Sequence, residues 1–340
     1  MKRIGIVGCG HIAQVHAWAL SRMDQVQLVA CTDIVPEHAE KLSGQYTNGK
    51  AAVYEDYSKM LAEIKPDVVH ICTPHHLHVP MAISALKKDC SVFMEKPPAI
   101  TQKEFDNLKE IEKQSKGRIG FCFQNRYNDT TKELDRIVAE GILGEVIGAR
   151  GFVTWRRDES YYSDDWHGIL SKEGGGALIN QSIHTLDLML RYLGAPTRLA
   201  SSIHNHHLTD IIEVEDTVEA WMEFEKGKRA CFYASTAYVT DAPVILELSF
   251  ENGRVTMIDR MITVNENGKK PEQIFCDVSP GIGKSYWGNG HLLCIQDFYE
   301  ALSFGAPFQN DIPGVENTLR TTMNIYKNAC NYSSPTYEHF

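Results

Sequence analysis

The sequence lacks the marks of a secreted or membrane-spanning protein. It has no Cys-x-x-Cys pair, and its nine cysteines show no paired spacing. Because Cys72, Cys122 and Cys231 stand within apolar, strand-like runs, we expect buried free thiols in a reducing compartment. The first strand begins at residue 2, which leaves no room for a signal peptide, and no apolar run approaches the ~18 residues of a membrane span. These absences predict a cytoplasmic protein with no membrane partner.

Positive charge is also scarce. Lys and Arg number 34 against 44 Asp and Glu, which gives a net charge of −10 and argues against a nucleic-acid partner. What the chain does have is length and ordinary apolar content. With 340 residues, 43% of them hydrophobic, it is expected to form two domains with sizeable cores.

The stretch from Lys2 to Asp33 has the pattern of a dinucleotide-binding βαβ unit. An apolar run leads to Gly8-Cys9-Gly10, an amphipathic segment follows, and a second apolar run ends near Asp33. Gly8 allows a sharp turn, Gly10 lets a pyrophosphate approach the backbone, and the helix N-terminus attracts it. Asp33 lies 25 residues after Gly8, close to the usual spacing of an acid that binds the ribose diol. Because no basic residue follows it directly, a 2′-phosphate would be repelled, so NAD is favoured over NADP. The alternative is a tight βα turn in another α/β protein.

Further strands and helices alternate up to residue 123. Continuous apolar runs at 67–72, 91–94 and 118–123 predict buried parallel strands, which completes a doubly wound domain over residues 1–123.

The pattern changes from residue 124 onward. A long strand is predicted at 146–155, a loop at 158–173 and a helix from Gly174 to Leu193. Strand runs then flank hairpin turns at Lys226-Gly227, Asn252-Gly253 and Asn267-Gly268, and helices at 291–304 and 315–330 close the chain. We expect a second domain over residues 124–340 with a mainly antiparallel sheet.

Two strand ends of the first domain carry candidate site residues. The run Thr73-Pro74-His75-His76-Leu77-His78 lies where ligands bind in open α/β sheets. Its histidines are expected to line a cofactor or to be structural, and no nearby acid completes a set of metal ligands, so no metal is expected. At the next strand end, Lys96 in Glu95-Lys96-Pro97 could stabilise charge on a substrate oxygen, whereas the alternative is a solvated lysine.

A third candidate lies on the helix after the three glycines. Asn180 and His184 are i and i+4 and would share a helical face, with Asp187 three residues further on to orient the imidazole. A histidine there could take a hydroxyl proton while hydride leaves the same carbon. The alternative is a satisfied core histidine.

Together these motifs resemble one family. The GxGxxA turn, Thr73-Pro74 with His78, Glu95-Lys96-Pro97 and the GGGxxxNxxxHxxD helix are similar to the glucose–fructose oxidoreductase/inositol dehydrogenase/rhizopine catabolism (Gfo/Idh/MocA) family, in its order and spacing over nearly the whole chain. The resemblance implies an N-terminal Rossmann domain and a C-terminal α+β domain with a large, open, mainly antiparallel sheet. It also implies a homodimer or homotetramer formed through that sheet.

The resemblance implies roles residue by residue. For the cofactor these are Gly8, Gly10, His11, Ile12, Asp33, Thr73, Pro74, His75, His78, Glu95, Lys96 and Gln124. For the substrate they are Arg126, Tyr127, Trp166, His167 and Asn180, and for catalysis Lys96, His184 and Asn180.

Two positions depart from the family pattern. His75 stands where many members have Asn, and Asn180 where dehydrogenase members often have Asp. An amide cannot relay a proton at neutral pH, which assigns the base role to His184.

These residues predict an NAD(P)-dependent dehydrogenase that oxidises a secondary hydroxyl of a sugar, sugar derivative or polyol. His184 would remove the hydroxyl proton, Lys96 would stabilise the alkoxide, and hydride would pass to nicotinamide. Two alternatives stay open: an NAD-dependent glycosidase that works by transient C3 oxidation and elimination, and a non-catalytic, dinucleotide-sensing binding protein.

Overall fold

The computed structural model describes residues 1–276 and 290–330. Within these ranges the chain forms two compact units, one of residues 1–132 with 290–316 and one of residues 133–276 with 317–330. The sequence-based division at residue 123 did not assign residues 290–316 to the first unit. The roles of the two predicted domains, cofactor binding and substrate binding, stay a prediction.

The helices follow the amphipathic segments of the sequence. They are α1 (His11–Leu20), α2 (Pro36–Thr47), α3 (Tyr57–Glu63), α4 (His75–Leu86), α5 (Gln102–Gln114), α6 (Asp129–Glu140), α7 (Leu170–Glu173), α8 (Ile183–Leu193), α9 (Gly290–Phe304) and α10 (Ile312–Asn328). At the start of α5 the Thr101 hydroxyl accepts from the backbone N–H of Glu104 at 3.1 Å, as expected of an N-cap residue. No helix in the described ranges is both long and apolar enough to cross a membrane.

The first unit holds a six-stranded parallel sheet. Its strands are β1 (Lys2–Val7), β2 (Val26–Thr32), β3 (Ala52–Tyr54), β4 (Val68–Ile71), β5 (Ser91–Met94) and β6 (Ile119–Phe121). They lie in the order β3-β2-β1-β4-β5-β6, and every pairing is parallel. The order reverses direction between β1 and β4, and ligands of such sheets bind beyond the carboxyl ends of the strands at that point. The predicted Rossmann fold is confirmed.

The second unit holds a nine-stranded mixed sheet. Its strands are β7 (Val146–Thr154), β8 (Arg198–His204), β9 (Thr217–Glu223), β10 (Arg229–Ser235), β11 (Ile245–Phe250), β12 (Gly253–Ile258), β13 (Met261–Glu266), β14 (Glu272–Phe275) and β15 (Ala329–Cys330). The order is β14-β13-β12-β11-β7-β10-β9-β8-β15, with parallel pairing only at β7–β10 and β8–β15 among the described strands. The mainly antiparallel sheet predicted for the C-terminal region is therefore confirmed.

One face of this second sheet packs on a core and the other is exposed. Inward residues of β7, β9, β10 and β11 pack with α8 in a single apolar cluster. Cys231 points to the opposite face and is exposed, so the expectation that it is buried was wrong. It alternates with the buried Ala230 and Phe232, because successive strand residues face opposite sides of a sheet.

Candidate active site

The glycine turn after β1 has the geometry that a dinucleotide needs. Gly8 has φ of +78°, and a Cβ there would lie 2.7 Å from the Cys72 carbonyl oxygen, so only glycine fits. A Cβ on Gly10 would meet nothing within 4 Å. Gly10 is also the N-cap of α1, and no side chain caps that helix. The result is an open helix N-terminus beside a bare backbone, which fits a pyrophosphate.

Asp33 is fixed beside that turn. Its Oδ2 accepts from the backbone N–H of Cys9 at 2.6 Å, and its Oδ1 accepts from the backbone N–H of Val35 at 2.9 Å. His11 and Ile12 begin α1, exposed and half-buried respectively. The carboxylate predicted to bind the ribose therefore also ties the end of β2 to the glycine turn.

The segment after β4 combines fixed and unsatisfied polar groups. The Thr73 hydroxyl oxygen is buried and has no hydrogen-bond partner in the described part of the chain, as expected of a group that a bound ligand would satisfy. His78 lies between two carbonyl oxygens, with Nε2 2.9 Å from that of Thr73 and Nδ1 3.0 Å from that of Pro97. Burial lowers the pKa of His78, and a neutral ring has one N–H, so it donates to one of these two carbonyl oxygens at a time. His75, beside it, is buried.

Glu95 and Lys96 follow β5 directly. Glu95 is 7% exposed, and its Oε1 accepts from His16 Nε2 at 3.0 Å. Burial by itself raises the pKa of Glu95, but the hydrogen bond from His16 and the charges of His16, His291 and Lys96 outweigh it and hold the pKa well below its ordinary value. Glu95 Oε2 accepts from the backbone N–H of Lys96 at 3.3 Å. Lys96 is half-buried, and its peptide bond to Pro97 is cis.

His16, Glu95 and Cys122 bring a nitrogen, an oxygen and a sulfur atom close together. Ligand atoms of His16, Glu95 and Cys122 all lie within 4.8 Å of one another. The nitrogen and the oxygen are already hydrogen-bonded to each other, and burial raises the pKa of the Cys122 thiol well above its ordinary value. We therefore interpret this group as a hydrogen-bonded cluster and not as metal ligands.

The three residues predicted after the last Rossmann strand are buried. Arg126 donates to the carbonyl oxygens of Gln309 at 2.7 Å and Gly314 at 3.0 Å, and the Tyr127 hydroxyl donates to Asp297 at 2.6 Å. Gln124 is 4% exposed, in the 3₁₀ turn Gln124–Tyr127. These contacts give Arg126 and Tyr127 structural tasks, and their role toward substrate stays a prediction.

In the second unit, the three glycines form a turn that two residues, Tyr326 and Glu215, approach closely. A Cβ on Gly175, whose φ is +147°, would lie 2.0 Å from the Tyr326 hydroxyl, and one on Gly176 would lie 2.2 Å from the Glu215 carbonyl oxygen. Glu215 is buried and accepts from the backbone N–H groups of Gly176 and Leu178 at 3.0 and 2.9 Å. The Tyr326 hydroxyl donates to Glu215 at 2.9 Å. The glycines are thus required by packing.

The helix after the glycines is not a regular α-helix throughout. Ala177–Ser182 is a π-helix, and α8 begins only at Ile183. The sequence predicted one helix from Gly174 to Leu193, whereas the structure has a π-helical segment followed by an α-helix. That Asn180 and His184 share a face stays a prediction. Such π-helical segments often occur at functional sites. Asn180 is 7% exposed, whereas His184 is half-buried.

A buried carboxylate that sequence reasoning missed holds Asn180. Glu173 is 1% exposed, and its Oε1 accepts from Asn180 Nδ2 at 2.6 Å. Its Oε2 accepts from the backbone N–H of Gly168 at 2.5 Å. Because the amide nitrogen is committed to Glu173, the amide of Asn180 has a fixed orientation with its oxygen on the other side. Glu173 stands just before the glycines but belongs to no motif that would have identified it.

An aromatic cluster occupies the segment before α7. The rings of Trp166 and His167 lie with centroids 3.7 Å apart and planes tilted by 32°, and Tyr161 packs on His167 at 4.7 Å. His167 Nδ1 lies 2.5 Å from Asp164 Oδ2. The Tyr161 hydroxyl in turn accepts from Gln181 at 2.7 Å. The two predicted substrate residues thus form one ordered aromatic surface in the second unit.

Comparison with known families identifies the class. Residues 2–123 match the description "Oxidoreductase family, NAD-binding Rossmann fold" of Gfo/Idh/MocA proteins, and residues 131–256 match the Gfo/Idh/MocA C-terminal domain. The two matches together span most of the chain. The protein belongs to the Gfo/Idh/MocA oxidoreductase family, and its N-terminal part is an NAD-binding Rossmann domain.

Individual relatives agree with this class. The chain is 29% identical to D-glucoside 3-dehydrogenase of Escherichia coli, over 78% of this chain and 80% of that protein. It is 29% identical to glucose-6-phosphate 3-dehydrogenase of Bacillus subtilis, over 64% of this chain and 60% of that protein. The WlbA dehydrogenase of Bordetella pertussis, solved with NADH and UDP-GlcNAcA, shares the fold with a TM-score of 0.82 at 24% identity, over 96% of each chain.

Proposed function

We propose that this protein is an NAD-dependent dehydrogenase that oxidises a secondary hydroxyl of a sugar or polyol, and that position 3 of a D-glucoside is the first hydroxyl to test. The observation that carries the proposal is the open glycine turn beside Asp33 and the Glu95-Lys96 pair in an NAD-binding domain. Two relatives named as 3-dehydrogenases of glucose derivatives support the position. These two relatives and the myo-inositol 2-dehydrogenase of Thermotoga maritima are named as dehydrogenases, which disfavours the glycosidase alternative.

The mechanism divides the work between a cation and a base. A bound NAD would supply the acceptor for the hydride that leaves the carbinol carbon. The Lys96 ammonium donates to the reacting hydroxyl oxygen and stabilises the negative charge that develops there. His184 Nδ1 or Nε2 takes the hydroxyl proton, since an imidazole is a competent base near neutral pH. Asp33 accepts from the ribose diol, and the same position disfavours the 2′-phosphate of NADP by charge repulsion.

The fixed amide of Asn180 supports a sugar substrate. With its nitrogen donating to Glu173, its oxygen is the atom able to accept from a substrate hydroxyl. Aromatic rings in contact, such as those of Trp166 and His167, provide an apolar surface on which the C–H face of a pyranose can pack. We infer that Asn180 and Trp166 select the substrate and leave the proton transfer to His184.

The proposal is tested by assaying NADH formation at 340 nm with a panel of D-glucosides, free hexoses and inositols. We expect turnover with at least one member, formation of the 3-keto product from glucosides, and a clear preference for NAD over NADP. Asp33→Ala should weaken that preference, whereas Asp56→Ala, an acid that caps α3, should not. Binding of NADH without oxidation of any member would favour the non-catalytic dinucleotide sensor instead.

We further propose a cytoplasmic homo-oligomer that associates through the exposed face of the second sheet. Outward residues of neighbouring strands form a continuous row there, in which Arg150, Cys231 and Trp221 are adjacent by register. Trp221 is 40% exposed, which is unusual for so large a ring on a sheet. Light scattering should give a dimer or tetramer mass, and Trp221→Glu should reduce it.

A further inference from the structure

A chain of buried polar side chains lies behind Glu95. Starting from Glu95 Oε1, His16 Nε2 lies at 3.0 Å, His16 Nδ1 lies 2.9 Å from His70 Nδ1, and His70 Nε2 lies 2.9 Å from the Tyr299 hydroxyl. His16 and His70 are 0% exposed and Tyr299 is 1% exposed. The four residues come from α1, β4, the end of β5 and α9, so the chain runs across the first unit.

The hydrogen-bond directions along this row depend on the protonation of His16. The Glu95 carboxylate can only accept, so His16 donates from Nε2. With a neutral His16, its Nδ1 accepts from His70 Nδ1, and the Tyr299 hydroxyl donates to His70 Nε2. With a cationic His16, its Nδ1 donates to His70 Nδ1, and His70 Nε2 donates to the Tyr299 hydroxyl oxygen. His70 is neutral in both patterns, and its tautomer distinguishes them.

The charges around this row of side chains agree with a neutral His70 and an ionised Glu95. Burial lowers the pKa of His70 well below its ordinary value, which keeps that ring neutral. The pKa of Glu95 is also well below its ordinary value despite burial, because His16 donates to it and nearby cations attract it. The titratable groups that interact with Glu95 from the surrounding elements are His16, His70, Cys72, His78, Lys96, Cys122 and His291.

We propose that His16, His70 and Tyr299 are positioning residues that hold Glu95 ionised and in one rotamer, and through Glu95 hold the segment that carries Lys96. The link to Lys96 is the second carboxylate oxygen, which accepts from the Lys96 backbone N–H. The role in catalysis rests on the proposed function, whereas the protonation pattern does not. These three residues act through Glu95 and touch neither substrate nor nicotinamide in this mechanism.

The first test separates a positioning role from a packing role. His16→Leu removes the donor to Glu95, and we expect kcat to fall by about 10- to 100-fold, with the acid limb of the pH profile moved to higher pH and little change in the Kd for NADH. His16→Gln retains an N–H at the place of Nε2 and should recover most of the loss. Equal losses in the two variants, or a loss that follows thermal stability with no change in pH profile, would overturn the proposal.

The second test needs neither activity nor a disruptive variant. In ¹⁵N spectra of the wild-type protein, we expect His70 to stay neutral from about pH 5.5 to 8.5, while an ordinary histidine titrates near 6.5. Its proton lies on Nδ1 if His16 is neutral and on Nε2 if His16 is a cation. Tyr299→Phe should shift the Nε2 resonance of His70. Tyr57→Phe, which also removes a buried hydroxyl that donates to a carbonyl, should leave it unchanged.

The two tests fail separately. A His70 ring that titrates within that range, or whose Nε2 resonance does not respond to Tyr299→Phe, refutes the network whatever the enzyme oxidises. If no sugar or polyol is oxidised, the proposed function fails and the spectra still decide the protonation pattern.

Discussion

Glu95 in the first unit and Glu215 in the second are both buried, and their pKa values move in opposite directions. In the first unit Glu95 receives its hydrogen bond from an imidazole and has a pKa below the ordinary value. In the second unit Glu215 is bound by two backbone N–H groups and the Tyr326 hydroxyl, yet burial dominates and raises its pKa. Equal burial therefore does not imply equal charge, because the nature of the hydrogen-bond donors and of nearby cations decides.

The difference corresponds to different tasks. A carboxylate that stays ionised beside Lys96 keeps a cation and an anion together at the end of β5, which suits the stabilisation of developing charge. Glu215 instead caps the glycine turn that leads into the π-helix with Asn180, and that task needs acceptors but no charge. The predictions below test this contrast, from the largest expected effect to the smallest.

The largest effect is expected for Lys96→Ala. Loss of the ammonium should lower kcat by about 10²- to 10³-fold, since it removes a group that acts on charge in the transition state. The Kd for NADH should change by less than about threefold, because the glycine turn and Asp33 remain. Stopped-flow measurement of a single turnover and fluorescence titration of NADH give the two quantities. Lys88→Ala, at an exposed position near the end of α4, is the matched control, and unchanged turnover in Lys96→Ala would remove Lys96 from the mechanism.

An intermediate effect is expected where Asn180 meets Glu173. Asn180→Asp would place two carboxylate oxygens 2.6 Å apart in a buried site. The repulsion between the two negative charges is relieved only when one carboxylate takes up a proton. We expect KM for the sugar to rise about tenfold or more at pH 8 and to recover at lower pH.

A compensating change sharpens this second prediction. In Glu173→Gln/Asn180→Asp the amide and the carboxylate exchange places, so the hydrogen bond can form again in reverse. The double variant should therefore bind sugar better than Asn180→Asp alone, whereas Glu159→Gln/Asn180→Asp, with the exposed Glu159 as partner, should not. Additive effects in the cycle would show that Glu173 does not orient residue 180.

The smallest effect is on the pH dependence of stability. The folded-state pKa of Glu95 is lowered, so its stabilisation is present above the unfolded pKa of about 4.3 and is lost as the pH falls below it. The folded-state pKa of Glu215 is raised, so its contribution is largest at low pH and is lost as the pH rises above about 4.3.

Urea unfolding between about pH 3.5 and 7 measures both contributions. On acidification, the free energy of unfolding of wild type should fall relative to Glu95→Gln and rise relative to Glu215→Gln. The same sign in both comparisons would mean that the two carboxylates are not distinguished by their donors.

Much of the cofactor half could be predicted from sequence because its signals are local. The glycine turn, the alternating strands and helices and Asp33 lie within a few residues of the atoms they organise, and backbone conformation and helix N-termini follow from such neighbours. The second sheet was also predicted in type, from its hairpin turns. The exposure of Cys231 was not predicted, because an apolar run does not tell which face of a strand is covered.

By itself the sequence determined the family, the Rossmann fold and the residue types able to bind NAD and move a proton. Only the tertiary structure decided that His16 donates to Glu95, 79 residues away along the chain, that Tyr299 ends the same row, and that Glu173 orients Asn180 across a π-turn. The physical reason is that burial and hydrogen-bond partners set the charge and the orientation of a side chain, and those partners come from segments that no local pattern connects.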